Sequence, residues 1–173
     1  MPEREVMAVP ARWRDSGLCW LWLSTLVLVL DQASKLWADA ALQLYQRVEL
    51  LPGINLTLVY NRGAAFSLLS DAAGWQRWLF AIFALIISVV ILVWLRRVVR
   101  GDRLQAGGLA LVLGGAIGNV WDRLVHGHVI DFIDVHYRDW HWPAFNIADS
   151  AITVGVVLLL AETLFVRREP APG

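Results

Sequence analysis

Four long apolar runs constrain this chain more than any other feature. They cover roughly Gly17 to Leu36, Trp75 to Leu95, Leu104 to Trp121 and Ile147 to Val166. Each holds about 18 to 21 residues, close to the roughly 20 that a helix needs to cross a bilayer core. A spanning segment must satisfy its own backbone polar groups, so four such runs predict four transmembrane helices. The stretch from Trp78 to Leu95 carries no charge at all. Charged residues make up only 17% of the 173 residues, where a soluble domain would carry about a quarter. The expected organisation is one integral membrane domain over residues 1–173, with no internal repeat or second domain. The third run is rich in glycine (Gly107, Gly108, Gly114, Gly115, Gly118). In lipid, such small residues let helices approach closely.

The basic residues predict an orientation. Arg4, Arg12 and Arg14 precede the first run, Arg96, Arg97, Arg100 and Arg103 join the second to the third, and Arg167 and Arg168 follow the fourth. These are nine of the 15 basic residues, all on one side of a four-span chain. The positive-inside rule then places both termini in the cytoplasm, and the linker after the first run outside. The basic start, apolar run and Ala38-Asp39-Ala40 also resemble a cleavable secretory signal. Asp31 and Lys35 stand between the apolar core and that point, which argues for a retained span. Nine of the ten tryptophans, such as Trp75, Trp78 and Trp121, fall near run ends, where indoles suit the membrane–water boundary. The formal net charge of zero argues against nucleic acid as a partner. The one cysteine, Cys19, excludes an internal disulfide framework and reads as a small buried hydrophobe.

Residues 38–74 form an outer linker too long for a plain turn. From Arg47 to Tyr60 apolar residues alternate around Pro52-Gly53, which predicts short strands joined by a turn. Asn61-Arg62-Gly63-Ala64-Ala65-Phe66 follows, with small residues suited to close backbone approach. In the first run, Asp31 and Lys35 are four apart and share a helix face. They form either a paired helix end with a snorkelling lysine or a wall of an active site.

Ionisable groups concentrate between Gly118 and Ile152, where five aspartates and all four histidines of the chain lie. Such groups are costly near hydrocarbon and mark function. Val129 to Tyr137 reads as a strand, and alternation puts Asp131 on an otherwise apolar face with Val129, Ile133, Val135 and Tyr137. Asp134 shares the other face with His128 and His136. A carboxylate among apolar neighbours is the better candidate for a raised pKa. Asp149 sits three residues after Asn146 at the head of the fourth run, which fits helix capping. It also fits a carboxylate at the outer surface facing Asp131. Two carboxylates in contact tend to share a proton, which suits peptide hydrolysis. Arg123 shares a helix face with Asn119 and is expected to reach a carboxylate or carbonyl, while Asp139 reads as a solvated loop acid.

His126, His128, His136 and His141 raise the possibility of a metallopeptidase, yet no His-Glu-x-x-His pattern is present and no metal is expected. A proton- or ion-coupled transporter using the intramembrane acids is the rival from another class. It predicts polar residues throughout the spans, whereas the second and third runs are almost purely apolar inside.

Four blocks together resemble the signal peptidase II family. They are Asp31-Gln32-Ala33-Ser34-Lys35; Asn61 to Phe66; Gly118-Asn119 with Asp122-Arg123 continuing to Gly127, Val129 and Asp131-Phe132; and Phe145-Asn146-Ile147-Ala148-Asp149-Ser150. The resemblance implies a membrane-embedded aspartic endopeptidase with Asp131 and Asp149 as its catalytic pair. It puts supporting or substrate-binding roles on Asp31, Lys35, Asn61, Asn119, Arg123 and Asn146. It implies an all-α membrane bundle of four helices with a small outer β-sheet cradle and a short interfacial helix. The implied substrates are diacylglyceryl-modified prolipoproteins, cut on the N-terminal side of the lipidated cysteine. The implied location is the bacterial cytoplasmic (inner) membrane, with the active site at the outer face. No cofactor is needed, membrane lipids are the surroundings, and a monomer is expected.

Overall fold

The four apolar runs fold as helices: α1 (Leu21–Ala41), α2 (Gln76–Arg97), α3 (Arg103–Val125) and α4 (Ile147–Phe165). All four are long and apolar enough to cross a membrane. This computed structural model describes residues 15–63, 74–99 and 101–165. A 3-10 turn, Gly17–Trp20, leads into α1, and Ser16 Oγ accepts from the Leu18 N–H at its start. Ala64, Ala65 and Phe66 of the second sequence block, and Arg4, Arg12, Arg14, Arg100, Arg167 and Arg168, lie outside the described residues. Apart from the Gly17–Trp20 turn, no short helix of the implied interfacial kind stands among the described residues.

Two spans run further than the apolar runs suggest. α1 continues past Leu36 to Ala41, and α3 past Trp121 to Val125. Polar side chains do not end these helices, because Asp31, Lys35 and Asp122 are buried between helices rather than turned to lipid. A helix stops where its hydrogen bonding stops, not where its hydropathy falls.

α3 is the central helix and touches all three others. Its glycines explain how. An added Cβ on Gly115 would run into the Ala148 carbonyl oxygen of α4, and one on Gly155 of α4 would lie 2.6 Å from the Gly108 oxygen. The α3 and α4 backbones therefore pack without intervening side chains, in the manner of small-residue contacts in lipid. Below them, Ile91, Leu95, Leu109 and Leu113 form a buried cluster between α2 and α3. The outward faces remain apolar, with Phe83, Ile86, Val89 and Val157 each more than half exposed, as expected of surfaces that meet acyl chains. Gly115→Leu should cost at least about 2 kcal/mol of stability, since overpacking a tight contact costs roughly 1–3. Gly107→Ala should cost far less, because the nearest atom its Cβ would meet is in the Trp20 ring at an ordinary 3.5 Å. Thermal unfolding in detergent compares the two.

At one end of the bundle lies an antiparallel sheet of order β1 (Arg47–Leu51), β2 (Ile54–Asn61), β3 (Val129–Tyr137) and β4 (Trp140–His141). The β1–β2 turn uses Pro52-Gly53, with Gly53 at φ +87°, a conformation that side chains resist. β3 covers the residues expected of it. β2 pairs with it so that Asn61 opposes Val129 and Val59 opposes Asp131. After β4 the chain returns to β3 at Phe145, exchanging hydrogen bonds of 2.9 and 3.0 Å with Ile133. That return places the start of α4 beside Asp131.

Candidate active site

Asp131, Asp149, Asn61, Asn119 and Arg123 line one cavity of about 620 Å³ at the sheet end of α3 and α4. Four structural elements, β2, α3, β3 and α4, converge there, and three asparagines orient the two carboxylates. Asp131 Oδ2 accepts from Asn61 Nδ2 at 3.0 Å, and Oδ1 accepts from Asn146 Nδ2 at 2.7 Å. Asp149 Oδ1 accepts from Asn119 Nδ2 at 2.8 Å. Asn146 and Asp149 also form a reciprocal cap. The Asp149 N–H donates to Asn146 Oδ1 at 2.9 Å, and the Asn146 N–H to Asp149 Oδ2 at 3.3 Å. The capping reading of Asp149 holds, and the cap fixes a carboxylate that lines the cavity.

Burial, and then the charge of Asp149, push the Asp131 carboxyl up to about 7; the hydrogen bonds from Asn61 and Asn146 oppose that rise. Arg123 donates from one terminal nitrogen to the Asn119 carbonyl and from the other to the Gly63 carbonyl, both at 3.2 Å. Its guanidinium lies over the Phe80 ring. Its Nε–H is buried without a partner among the described residues.

Asp31 and Lys35 stand behind the cavity and do not line it. Lys35 does not snorkel: it is 1% exposed, and its ammonium contacts Asp31 Oδ2 at 2.8 Å, Asp122 Oδ2 at 2.9 Å and Asn119 Oδ1 at 3.0 Å. Three oxygens at this depth offset the loss of water around the ammonium. Asp31 Oδ1 accepts from the Ala148 N–H at 2.9 Å, which ties α1 to the first turn of α4. Two positioning residues escaped the sequence reading. Asp122 Oδ2 accepts from the Ile130 N–H at 3.2 Å, next to Asp131, and Gln32 Nε2 bridges Asp122 and Asp31 at 2.8 and 3.1 Å. Their signal was available, because a polar side chain within a span needs a partner.

The remaining acids and histidines sit elsewhere. Asp134 holds Asn55 and His141. Burial raises its carboxyl, but those hydrogen bonds together with the charges of His141 and Arg47 hold the group below the usual range. His136 stacks on His141, His128 lies against Tyr60, and Asp139 is exposed in the turn before β4.

The family model for signal peptidase II matches residues 23–165, most of the chain. The chain belongs to the signal peptidase II family. The lipoprotein signal peptidase of Pseudomonas putida is 54% identical over 168 residues, covering 96% of this chain and 98% of that one. The lipoprotein signal peptidase of Pseudomonas aeruginosa is 56% identical over 151 residues, covering 86% and 89%. A solved bacterial membrane enzyme shares the fold at 28% identity and a TM-score of 0.72, covering 89% of this chain and 94% of its own. As a signal peptidase II, the chain is a multi-pass membrane protease, and the transporter reading gains no support from any of these relatives.

Proposed function

We propose that this signal peptidase II removes the signal peptide from diacylglyceryl-modified prolipoproteins, cutting on the N-terminal side of the lipidated cysteine, with Asp131 and Asp149 as the catalytic pair. One observation carries the assignment of the pair: two carboxylates from different elements, each held by asparagine donors, line the same cavity. One carboxylate takes a proton from water as the water oxygen attacks the scissile carbonyl. The other donates a proton to the carbonyl oxygen. Collapse of the tetrahedral intermediate breaks the C–N bond; the newly protonated carboxyl returns its proton to the departing amine, and the other carboxylate takes one back from a hydroxyl of the intermediate. Arg123 Nε–H offers a donor to a neighbouring substrate carbonyl. The apolar wall of Val129, Phe145, Ile152 and Val154 suits signal-peptide side chains and an acyl chain entering from the bilayer.

We place the protein in the bacterial cytoplasmic membrane with both termini cytoplasmic and the cavity at the outer face. Arg96, Arg97 and Arg103, at the end of the bundle opposite the sheet, support that orientation. One copy of the chain supplies every residue of the pair and its asparagines, which supports a monomer surrounded by lipid. The mass of the products tests the function. The mature product should begin at the lipidated cysteine; a cut elsewhere, or none, would sink the reading.

A pH dependence follows from the raised Asp131 carboxyl. The pair works with one carboxyl protonated, so kcat/KM should fall as pH rises through about 7. Stability has the same sign. A carboxyl raised from 3.8 to about 7 favours the folded state in its protonated form. That contribution is complete at low pH and is lost as pH rises through about 7. The melting temperature of Asp131→Asn relative to wild type should therefore climb between about pH 4 and 7 and level off above that. A pH-independent difference would show that Asp131 is not held protonated.

A further inference from the structure

A second cavity, of about 530 Å³, opens at the same end of the bundle and shares no lining residue with the first among the described residues. It lies between the start of α2 and the turn from α3 to β3. Its described lining carries Arg62, Arg77, His126 and His128, and no acid. Among the described residues, no carboxylate lies within ion-pair distance of either arginine. Burial lowers the His128 ring's affinity for a proton, and His126 and Arg62 add to that while Asp122 and Asp39 oppose it.

Three further observations point to a ligand. The first turn of the 22-residue α2 faces this space, and Trp75, at its N-cap, makes no side-chain cap hydrogen bond. A helix start of this kind attracts anions through its free N–H groups and dipole. Gln76 lines the cavity, is 2% exposed, and its Oε1 has no hydrogen-bond partner among the described residues. A buried acceptor left open costs free energy, so it calls for a donor from a guest. Finally, Arg77 is preplaced, with its guanidinium over the Trp78 ring at 4.8 Å and one nitrogen 3.2 Å from where a Cβ on Gly127 would stand.

The depth names the kind of guest. Trp75 and Trp78 are each about half exposed at this rim, and indoles of that kind mark the headgroup level. We propose that this cavity binds the phosphoglycerol headgroup of an anionic membrane lipid. The arginines and the α2 start take the phosphate, and Gln76 Oε1 accepts from a headgroup hydroxyl. A phosphocholine headgroup has the phosphate but no hydroxyl or N–H to give Gln76. The site adds a lipid-recognition function that is independent of the catalytic pair.

Native mass spectrometry of the full chain in detergent tests this, with phosphatidylglycerol, phosphatidylcholine, inorganic phosphate and glycerol phosphate as separate titrants. Phosphatidylglycerol should be retained at a concentration about tenfold or more below phosphatidylcholine, and the two soluble phosphates should compete weakly. Arg62→Gln with Arg77→Gln should remove that preference while leaving the melting temperature in lipid-free detergent unchanged. Arg96→Gln with Arg97→Gln, at the far end of the bundle, should keep it. Equal retention of the two lipids would overturn the proposal, as would equal loss in both double variants. Free phosphate binding as tightly as the lipid would overturn the lipid assignment in favour of a soluble anion site.

Discussion

Asp131→Asn and Asp149→Asn should each lower the rate of precursor cleavage by about 10³-fold or more, the scale of a lost general acid or base. Both variants should stay folded in the membrane. An asparagine keeps the shape of the carboxylate and one acceptor oxygen, so most of the hydrogen-bond frame around either position can survive. What it cannot do is exchange a proton with water or with the carbonyl oxygen. Asp134→Asn and Asp139→Asn are the controls. Asp134 is occupied by Asn55 and His141 on the sheet, and Asp139 is exposed in a turn, so both variants should retain most activity. Rates measured on one lipidated precursor compare all four. Near-normal turnover by either of the first two would show that the pair is wrong, and complete loss in Asp134→Asn would shift the role to that residue.

Lys35→Met should produce the largest loss of stability. It leaves Asp31 and Asp122, 0% and 1% exposed, without their shared cation. Removing one partner of a buried ionic group costs roughly 3–5 kcal/mol, because the remaining charge stays buried. The effect should reach the cavity as well. Lys35 donates to Asn119 Oδ1, and together with the donation from Asn146 Nδ2 that contact turns the amide nitrogen to Asp149. Asp31→Asn added to Lys35→Met should recover part of the lost stability by removing one stranded charge. A double-mutant cycle of melting temperatures measures that coupling; strict additivity of the two changes would contradict a shared network.

Much of this was legible in the residues. The hydropathy runs marked four helices, alternation around Pro52-Gly53 marked the first hairpin, and the β-branched run from Val129 to Tyr137 marked the third strand. The spacing of Asn146 and Asp149 marked a cap that the hydrogen bonds bear out. Period and spacing report local geometry, and these features are local. The network behind the site was not legible for the same reason. Gln32 and Asp122 are 90 residues apart and meet only because α3 packs against α1. Lys35 near a helix end looks identical in sequence whether it snorkels or is buried, and only the arrival of Asp122 and Asn119 decides. The second cavity escaped for a different reason. Arg62, Arg77, His126 and His128 come from three separate stretches that only the fold brings together.

The most direct measurement is the cleavage of a diacylglyceryl-modified precursor by the purified protein, run beside the same precursor without its lipid. The proposed function predicts release of the signal peptide from the lipidated form, with the mature product starting at the modified cysteine and the unmodified twin left intact. Equal cleavage of both forms, or a cut at any other bond, would contradict it.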